Sequence, residues 1–253
     1  MAGMWKKIIR TGILCALVAS VGSLLTRTVL KTLKGQTPST LYYNLDNSIT
    51  SNYGRAYTQA IKKSRLSAVR IISGELDTGG SATSSGTYFT AQGKYYVVTV
   101  LHGLLGSCSA THINYQEDFY ECKEFITHDV VNDYAIMEVD QIPTRTPIKI
   151  PAHLPTLQGW KQSYSILTRI IYTGYPNTLG PLTLTGDVVG FSDTEFMYVF
   201  SYAWGGSSGS GVFDETGNYV GYIIAIDVGH TEFGIDVLEN VVLVVPAFRV
   251  DWS

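Results

Sequence analysis

Short runs of β-branched and aromatic residues alternate with turn residues from Leu66 to the end of the chain. The runs are rich in Val, Ile, Tyr, Phe and Thr, and Gly, Asn, Asp and Pro separate them, as in strands joined by tight turns. The predicted strands are Ser67–Ser73, Thr87–Ala91, Tyr95–Val100, Ala110–Tyr115, Phe119–Ile126, Tyr134–Val139, Ser163–Tyr172, Leu182–Val189, Glu195–Tyr202, Gly211–Phe213, Asn218–Ile226 and Val241–Val245. About twelve strands are typical of an all-β sandwich or of two small barrels, and their number favours neither.

Turn-like segments support the all-β interpretation. Ala91–Lys94, Gln116–Asp118 and Asp214–Gly217 each separate two predicted strands as hairpin connections do. The sequence after residue 66 predicts no long amphipathic helix and contains no repeat of fixed period. Residues 35–65 are predicted to be a polar linker followed by a short helix around Tyr53–Ser64.

Charge is divided unevenly along the chain. The formal net charge of the 253 residues is −3, but residues 1–45 contain six basic side chains and no acidic one, which leaves −9 for the remainder. The acidic body argues against nucleic-acid binding, and the basic head indicates contact with a membrane surface. Hydrophobic residues make up 45% and charged residues 15%, a composition that excludes a disordered chain and can fill a sizeable core.

The basic head also contains an apolar run. Sixteen uncharged residues lie between Arg10 and Arg27, slightly fewer than the ~20 of a usual spanning helix. Arginine side chains at both ends can extend to the lipid headgroups, so residues 1–34 are predicted to be an uncleaved anchor or a membrane-lying helix that contacts the membrane through residues 8–33. A cleaved signal peptide and a buried helix of a soluble protein are the alternatives. Basic residues flank both ends, so the sequence does not fix the topology or the compartment.

Three segments carry candidate catalytic side chains at strand ends or in a tight loop. His102 follows an apolar strand, where its imidazole can act as a general base. Asp133 opens another strand, where its carboxylate can accept the second N–H of an imidazole. Ser208 lies between Gly206 and Gly209 in a loop that can expose a hydroxyl and provide N–H groups for an oxyanion. Each segment alone also fits a simpler role: a strand-end histidine, a turn-capping aspartate and a Gly/Ser linker.

The order His, Asp, Ser, with gaps of 31 and 75 residues, is more specific than any one segment. Val-Thr-Val-Leu-His102, Asp133-Tyr-Ala-Ile and Gly206-Ser-Ser-Gly-Ser-Gly-Val-Phe resemble the three motifs of the trypsin-like, chymotrypsin-fold serine proteases. The similarity is closest to compact HtrA-like, glutamyl-endopeptidase-like and viral members. Ser85-Gly-Thr-Tyr-Phe and Gly174-Tyr-Pro-Asn resemble segments of HtrA-like enzymes.

The chain departs from the family pattern at a few points. Gly211 replaces the usual proline after the nucleophile, and Ser207 replaces the usual Asp or Asn before it. Neither change removes a catalytic group. The sequence contains no Ile-Val-Gly-Gly activation segment, so no family-style zymogen switch is expected, and no PDZ domain is expected after the catalytic domain.

The resemblance implies an all-β fold of two six-stranded antiparallel barrels within residues 66–253, about 66–145 and 160–250, preceded by the N-terminal hydrophobic helix. It makes Ser208 the nucleophile, His102 the base and Asp133 the acid that orients it, with Asp129 as the alternative acid. It assigns the oxyanion-binding N–H groups to Gly206 and Ser208.

The resemblance also gives the walls of the primary specificity pocket and the chemistry expected of it. The predicted wall residues are Tyr202, Trp204, Ile223, Ile224, Ala225 and Ile226. Apolar walls cannot compensate a buried unpaired charge, so cleavage after uncharged, small or apolar residues is expected, unless Asp227 points inward. No cofactor and no metal are implied.

The cysteines leave two alternatives open. Cys108 and Cys122 flank a predicted hairpin, but direct pairing places Cys122 opposite His112, so a disulfide is possible and not indicated. These three residues and His128 also form a weak candidate zinc set.

The resulting hypothesis is a membrane-associated serine endopeptidase that acts on peptide or protein substrates and processes a viral polyprotein. The alternatives are a catalytically inactive chymotrypsin-fold scaffold at a membrane, an envelope quality-control protease and a non-protease all-β structural protein.

Overall fold

The computed structural model describes residues 54–75, 79–115, 118–151, 153–231 and 234–252, with the side chains of Thr178, 225–231 and 234–239 left out of that description. The predicted anchor of residues 1–34 lies outside the described residues, as does most of the linker. No helix within the described part of the chain combines the length and the apolar character that a bilayer span requires.

The described residues form two helices and thirteen strands. The helices are α1 (Arg55–Ser67) and α2 (Leu157–Ser163). The strands of the first half are β1 (Ala68–Gly74), β2 (Ser81–Ala91), β3 (Lys94–Val100), β4 (Thr111–Tyr115), β5 (Asp118–Asp129), β6 (Tyr134–Val139) and β7 (Ile148–Lys149). Those of the second half are β8 (Arg169–Gly174), β9 (Leu182–Phe191), β10 (Met197–Phe200), β11 (Gly211–Asp214), β12 (Tyr219–Thr231) and β13 (Gly234–Pro246).

Each half closes into a six-stranded antiparallel barrel. In barrel 1 the order is β1-β4-β5-β6-β3-β2, and β1 pairs with β2 to close it. The two-residue β7 adds to the outside edge of β2 in parallel. In barrel 2 the order is β10-β13-β12-β11-β8-β9, closed by β9 and β10. The predicted pair of six-stranded barrels is confirmed for the described residues.

Inward-facing apolar side chains fill each barrel and the space between the barrels. Ile71, Val97 and Met137 belong to the core of barrel 1, and all three are fully buried. A separate core fills barrel 2. A third cluster joins the barrels, because Phe89 of β2 and Tyr222 of β12 share it. This shared cluster fixes one barrel on the other and so fixes the loops that meet at their junction.

Two features of the second half differ from the predicted elements. The predicted strand Ser163–Tyr172 begins only at Arg169, because α2 occupies Leu157–Ser163. Thr156 caps α2 by accepting a hydrogen bond from the backbone N–H of Gly159, and Trp160 anchors the helix in the core.

Cys108 and Cys122 form a disulfide, with their Cα atoms 5.2 Å apart. The expected pairing of His112 with Cys122 is wrong, since His112 pairs with Glu121. Cys108 lies in a 3₁₀ turn before β4, Cys108–Ala110, and this turn brings its sulfur to the side of β5. The zinc alternative thereby loses its two thiol ligands.

Candidate active site

His102 and Asp133 meet at one end of barrel 1. His102 lies in the 3₁₀ turn Leu101–Gly103 that ends β3, and Asp133 ends the turn between β5 and β6. The Nδ1 atom of His102 is 2.5 Å from Oδ2 of Asp133, and the backbone N–H of His102 donates to Oδ1 at 2.8 Å. The backbone N–H of Leu101 donates to the carbonyl oxygen of Asp133 at 3.2 Å. The carboxylate therefore fixes both the position and the tautomer of the imidazole.

Asp133 adopts the left-handed backbone conformation, with φ of +52°. Asp129 and Asn132 hold this turn: Asp129 Oδ1 accepts from the backbone N–H groups of Val131 and Asn132, at 2.6 and 2.8 Å. These hydrogen bonds, that of Asn132 first, lower the pKa of the Asp129 carboxyl group. The structure thus places Asp129 as the cap of the turn and Asp133 against the histidine.

Contacts from barrel 2 reach the same turn. The hydroxyl of Tyr222 donates to the carbonyl oxygen of Asn132 at 2.5 Å, and the guanidinium group of Arg249 lies 3.3 Å from Asn132 Oδ1. Arg249 is itself paired with Glu195 at 3.0 Å. The residue before Asp133 is thus fixed by both barrels.

The hydrogen bond to Asp133 raises the pKa of His102 above its ordinary value of 6.5, and partial burial opposes that shift. The carboxylate stabilises the protonated imidazole, which is the form that a general base reaches once it has accepted a proton. The pair can therefore accept a proton at the free Nε2 atom and hold it.

Tight backbone contacts shape the nucleophile loop, Gly205–Gly211. Gly206 and Gly209 have φ of +94° and +87°. A Cβ atom on Gly206 would lie 2.6 Å from the carbonyl oxygen of Tyr175, and one on Gly209 would lie 2.0 Å from that of Ser85. Both positions therefore require glycine for the backbone angle and for the close approach of another chain segment.

The three serines of the loop have different environments. Ser207 and Ser210 are buried, at 2% and 0% exposure; Ser207 Oγ accepts from the N–H of Trp204, and Ser210 Oγ donates to the carbonyl oxygen of Ser207. Ser208 Oγ faces the cavity beside His102 and donates to the carbonyl oxygen of Ile224 at 3.0 Å. In this structure the Ser208 hydroxyl is thus bonded to Ile224 and not to the imidazole.

The backbone N–H groups of Gly206 and Ser208 donate to no acceptor among the described residues, whereas those of Ser207, Gly209 and Ser210 each donate to a carbonyl oxygen. Two such donors two residues apart, next to the partly buried Ser208 hydroxyl, suit the binding of a developing oxyanion.

A cavity of about 270 Å³ opens beside these groups. Its lining residues are His102, Ala203, Trp204, Gly205, Ser207, Ser208, Ile223 and Ile224. Of the predicted wall residues, Trp204, Ile223 and Ile224 line it, while Tyr202 stands outside and stacks on Trp204 with ring centroids 6.1 Å apart. The side chains of Ala225, Ile226 and Asp227 lie outside the described part of the chain.

Sequence reasoning missed several residues of this site. Gly205 and Ser207 line the cavity, and their position between the predicted wall segment Tyr202-Ala-Trp204 and the nucleophile was the available signal. It also missed Asn132, whose contacts depend on tertiary structure alone.

A sequence profile described as the trypsin-like peptidase domain matches residues 84–221, more than half of the chain and a range that includes His102, Asp133 and Ser208. The chain therefore belongs to the trypsin-like peptidase domain family. The predicted membership of the trypsin-like family, with its chymotrypsin-like fold, is confirmed. No curated protein matches the chain.

Solved structures agree on the fold. The chain is similar to a serine endoprotease from Yersinia pestis, with a TM-score of 0.60 and 17% identity, over 78% of this chain and 65% of that one. It is also similar to the HtrA-type protease AlgW with a tripeptide, with a TM-score of 0.57 and 16% identity, over 76% of this chain and 60% of that one. The match thus spans less than two thirds of either relative.

Proposed function

We propose that this chain is a membrane-associated serine endopeptidase that cleaves peptide bonds through Ser208, His102 and Asp133. The observation that carries the proposal is the common setting of the three groups. His102, which Asp133 holds at Nδ1, and Ser208 line one cavity, beside two backbone N–H groups that donate to no acceptor among the described residues. A nucleophile, an oriented base and oxyanion donors are the parts that acyl transfer requires.

In the proposed mechanism the Ser208 hydroxyl leaves the carbonyl oxygen of Ile224 and turns to His102 Nε2. The imidazole takes the hydroxyl proton while Oγ attacks the substrate carbonyl carbon, and Asp133 stabilises the imidazolium. The N–H groups of Gly206 and Ser208 stabilise the oxyanion. The imidazolium then protonates the leaving amine, an acyl-enzyme forms, and water activated by His102 releases the acid.

The lining of the cavity supports cleavage after substrate residues with uncharged, small or apolar side chains. Ala203, Trp204, Ile223 and Ile224 provide apolar surface, and His102 is the only titratable side chain among the described lining residues. A substrate carboxylate or ammonium group there would lose its hydration without gaining a partner. Profiling with a mixed peptide library tests this. A dominant preference for Glu would refute it, and one for Lys or Arg would indicate that Asp227 points inward.

The proposed biological role of the protein is argued from the sequence. The apolar run with basic flanks at residues 8–33 supports attachment to a membrane, and the similarity of the nucleophile loop to viral members supports processing of a viral polyprotein. Envelope quality control is the second candidate, because Ser85-Gly-Thr-Tyr-Phe resembles a segment of HtrA-like enzymes. Cleavage at a few defined sites supports processing, whereas preferential digestion of unfolded proteins supports quality control.

A fluorophosphonate probe tests the nucleophile directly. The full chain should be labelled, Ser208→Ala should lose both labelling and peptide hydrolysis, and Ser165→Ala, at an exposed serine far along the chain from the loop, should retain both. An unlabelled but well-folded protein would favour the inactive scaffold. Full hydrolysis by Ser208→Ala would refute the assignment of the nucleophile.

A further inference from the structure

Two segments that the proposed mechanism leaves without a role meet behind the nucleophile loop. They are Ser85-Gly-Thr-Tyr-Phe on β2 and Gly174-Tyr-Pro-Asn, which begins at the last residue of β8. Ser85 belongs to barrel 1 and is fully buried, yet its polar atoms are directed mostly toward barrel 2. This placement raises the question of what a buried serine does at the junction of the barrels.

Apart from the pairing of β2 within its sheet, four hydrogen bonds of Ser85 hold the junction of the barrels, and three of them connect barrel 1 to barrel 2. Its hydroxyl donates to the carbonyl oxygen of Gly206 at 2.7 Å and accepts from the N–H of Tyr175 at 2.8 Å. Its backbone N–H donates to the carbonyl oxygen of Ser208 at 2.8 Å. Its own carbonyl oxygen accepts from the hydroxyl of Thr99 at 2.7 Å. Ser85 thus bonds to both residues whose N–H groups would bind the oxyanion.

The orientation of a peptide plane links these contacts to the oxyanion donors. The carbonyl oxygen of Gly205 and the N–H of Gly206 belong to one trans peptide and point in opposite directions. The N–H of Asn177 donates to that carbonyl at 2.7 Å from behind the loop, so the Gly206 N–H is directed to the opposite side. The Ser85 hydroxyl fixes the next peptide plane of the loop, because it donates to the Gly206 carbonyl oxygen. The same hydroxyl accepts from the N–H of Tyr175 and so joins the loop to the turn Tyr175–Asn177.

We propose that Ser85 is a positioning residue that orients the oxyanion-binding N–H groups of Gly206 and Ser208 by holding the Gly206 carbonyl oxygen and the Tyr175 N–H. The inference rests on the proposed function, because it assigns a role in stabilising the tetrahedral intermediate. Ser85 contacts no substrate and takes no proton. Its effect falls on the tetrahedral intermediate and on the transition states that lead to and from it, since negative charge on the substrate oxygen develops only there.

The substitution Ser85→Ala removes the hydroxyl and keeps the backbone bond to Ser208. Loss of a direct oxyanion donor costs on the order of 100-fold or more in kcat, and a loosened donor should cost about 10-fold to 100-fold. We expect this fall in kcat with KM unchanged within about twofold, because substrate binding does not use the oxyanion site. A peptide boronate, whose adduct fills that site, should bind Ser85→Ala more weakly by the same factor as the fall in kcat.

Ser84→Ala is the matched control. Ser84 is the neighbouring residue on β2, is 2% exposed and bonds to Thr99 through its hydroxyl at 3.3 Å. It should lose similar thermal stability without a comparable fall in kcat or a weaker boronate affinity. Equal kinetic effects in the two variants would overturn the inference, because both would then report only loosened packing.

Ser85→Cys keeps a donor at the same position, in the form of a somewhat larger thiol that donates more weakly, so it tests the inference even where Ser85→Ala fails to fold. Its kcat should fall between those of the native protein and the alanine variant, or below the native value by several-fold if alanine is unmeasurable. A native kcat in a folded Ser85→Cys or Ser85→Ala protein would refute the role of Ser85, while loss of activity in Ser208→Ala would leave the proposed nucleophile standing. Activity in Ser208→Ala would instead refute the proposed function.

Discussion

The two halves of the candidate active site are built in different ways. The His102–Asp133 pair lies within barrel 1, and a compact turn capped by Asp129 presents the carboxylate. The nucleophile loop of barrel 2 depends on distant segments, because Ser85 reaches Gly206 across 121 residues of sequence. The His102–Asp133 pair is thus held mainly by its own strands and turn, with added contacts from barrel 2 at Asn132. The hydrogen bonds from Ser85 to the nucleophile loop form only when the barrels are packed together.

Removal of the base should have the largest effect. His102→Ala should lower kcat by about 10⁵-fold to 10⁶-fold, and adding Ser208→Ala should lower it little further, because the groups act as a unit. Steady-state kinetics of both single variants and the double variant measure this. Additive losses would show that the two halves work independently.

Replacement of the acid should have the next largest effect on kcat. Asp133→Asn should lower kcat by about 10,000-fold, because the amide can no longer hold the required tautomer of His102. Asp129→Asn is the matched control, from the same turn, and should change kcat by only a few-fold while lowering stability. A large loss of kcat in Asp129→Asn together with a nearly native kcat in Asp133→Asn would show that the acid was assigned wrongly.

The pH dependence of kcat/KM should reflect the ionisation of His102 in its pair with Asp133. Asp133 raises the pKa of His102 above 6.5, and the base works only when it is unprotonated. Activity should therefore fall as the pH is lowered through a midpoint above 6.5. An NMR titration of the His102 imidazole should give a lower midpoint in Asp133→Asn and an unchanged one in Asp129→Asn. A midpoint unaffected by Asp133→Asn would contradict the origin of the shift.

The contact of barrel 2 with the acid turn should have a smaller effect. Tyr222→Phe removes the hydrogen bond to the Asn132 carbonyl, which should cost about 1–2 kcal/mol of stability and a few-fold in kcat. Tyr88→Phe is a matched control, since the Tyr88 hydroxyl accepts from Ile142 inside barrel 1 at 3.0 Å. A similar loss of kcat in both variants would show that the contact of Tyr222 with Asn132 has no special role in catalysis.

The smallest kinetic effect is expected from the N-terminal segment. A chain of residues 46–253 should hydrolyse a soluble peptide at about the native rate, because the triad candidates and both barrels lie within it. Fractionation should find the full chain with membranes and the shortened chain in solution. A soluble full chain, or a shortened chain that stays with membranes, would contradict the proposed anchor.

The sequence predicted what local patterns encode. The apolar, β-branched run of β3 ends just before His102, and the alternating strand β6 begins just after Asp133. These two patterns marked both the strands and the candidate pair. Gly206 and Gly209 marked a loop that only glycine can form. The contacts of Ser85, Asn177 and Asn132 were not predictable, because they depend on register and on the packing of one barrel on the other.

Two errors have local causes. The helix α2 was missed because its seven residues are too few for a periodic pattern, although Thr156 provides a usable capping signal. The register around Cys122 was misjudged by one residue, because the hairpin pairs Tyr115 with Asp118. The disulfide was not indicated, because the 3₁₀ turn Cys108–Ala110 takes Cys108 off the strand.

The disulfide of Cys108 and Cys122 gives the two barrels unequal dependence on oxidation. Residues 160–250 contain no cysteine, so only barrel 1 is cross-linked. The bridge spans 14 residues of sequence and constrains the unfolded chain, a stabilisation of about 3 kcal/mol for a loop of this size. The barrel that carries the candidate base would therefore complete its maturation only after a thiol oxidation step, while the barrel that carries the nucleophile would need none.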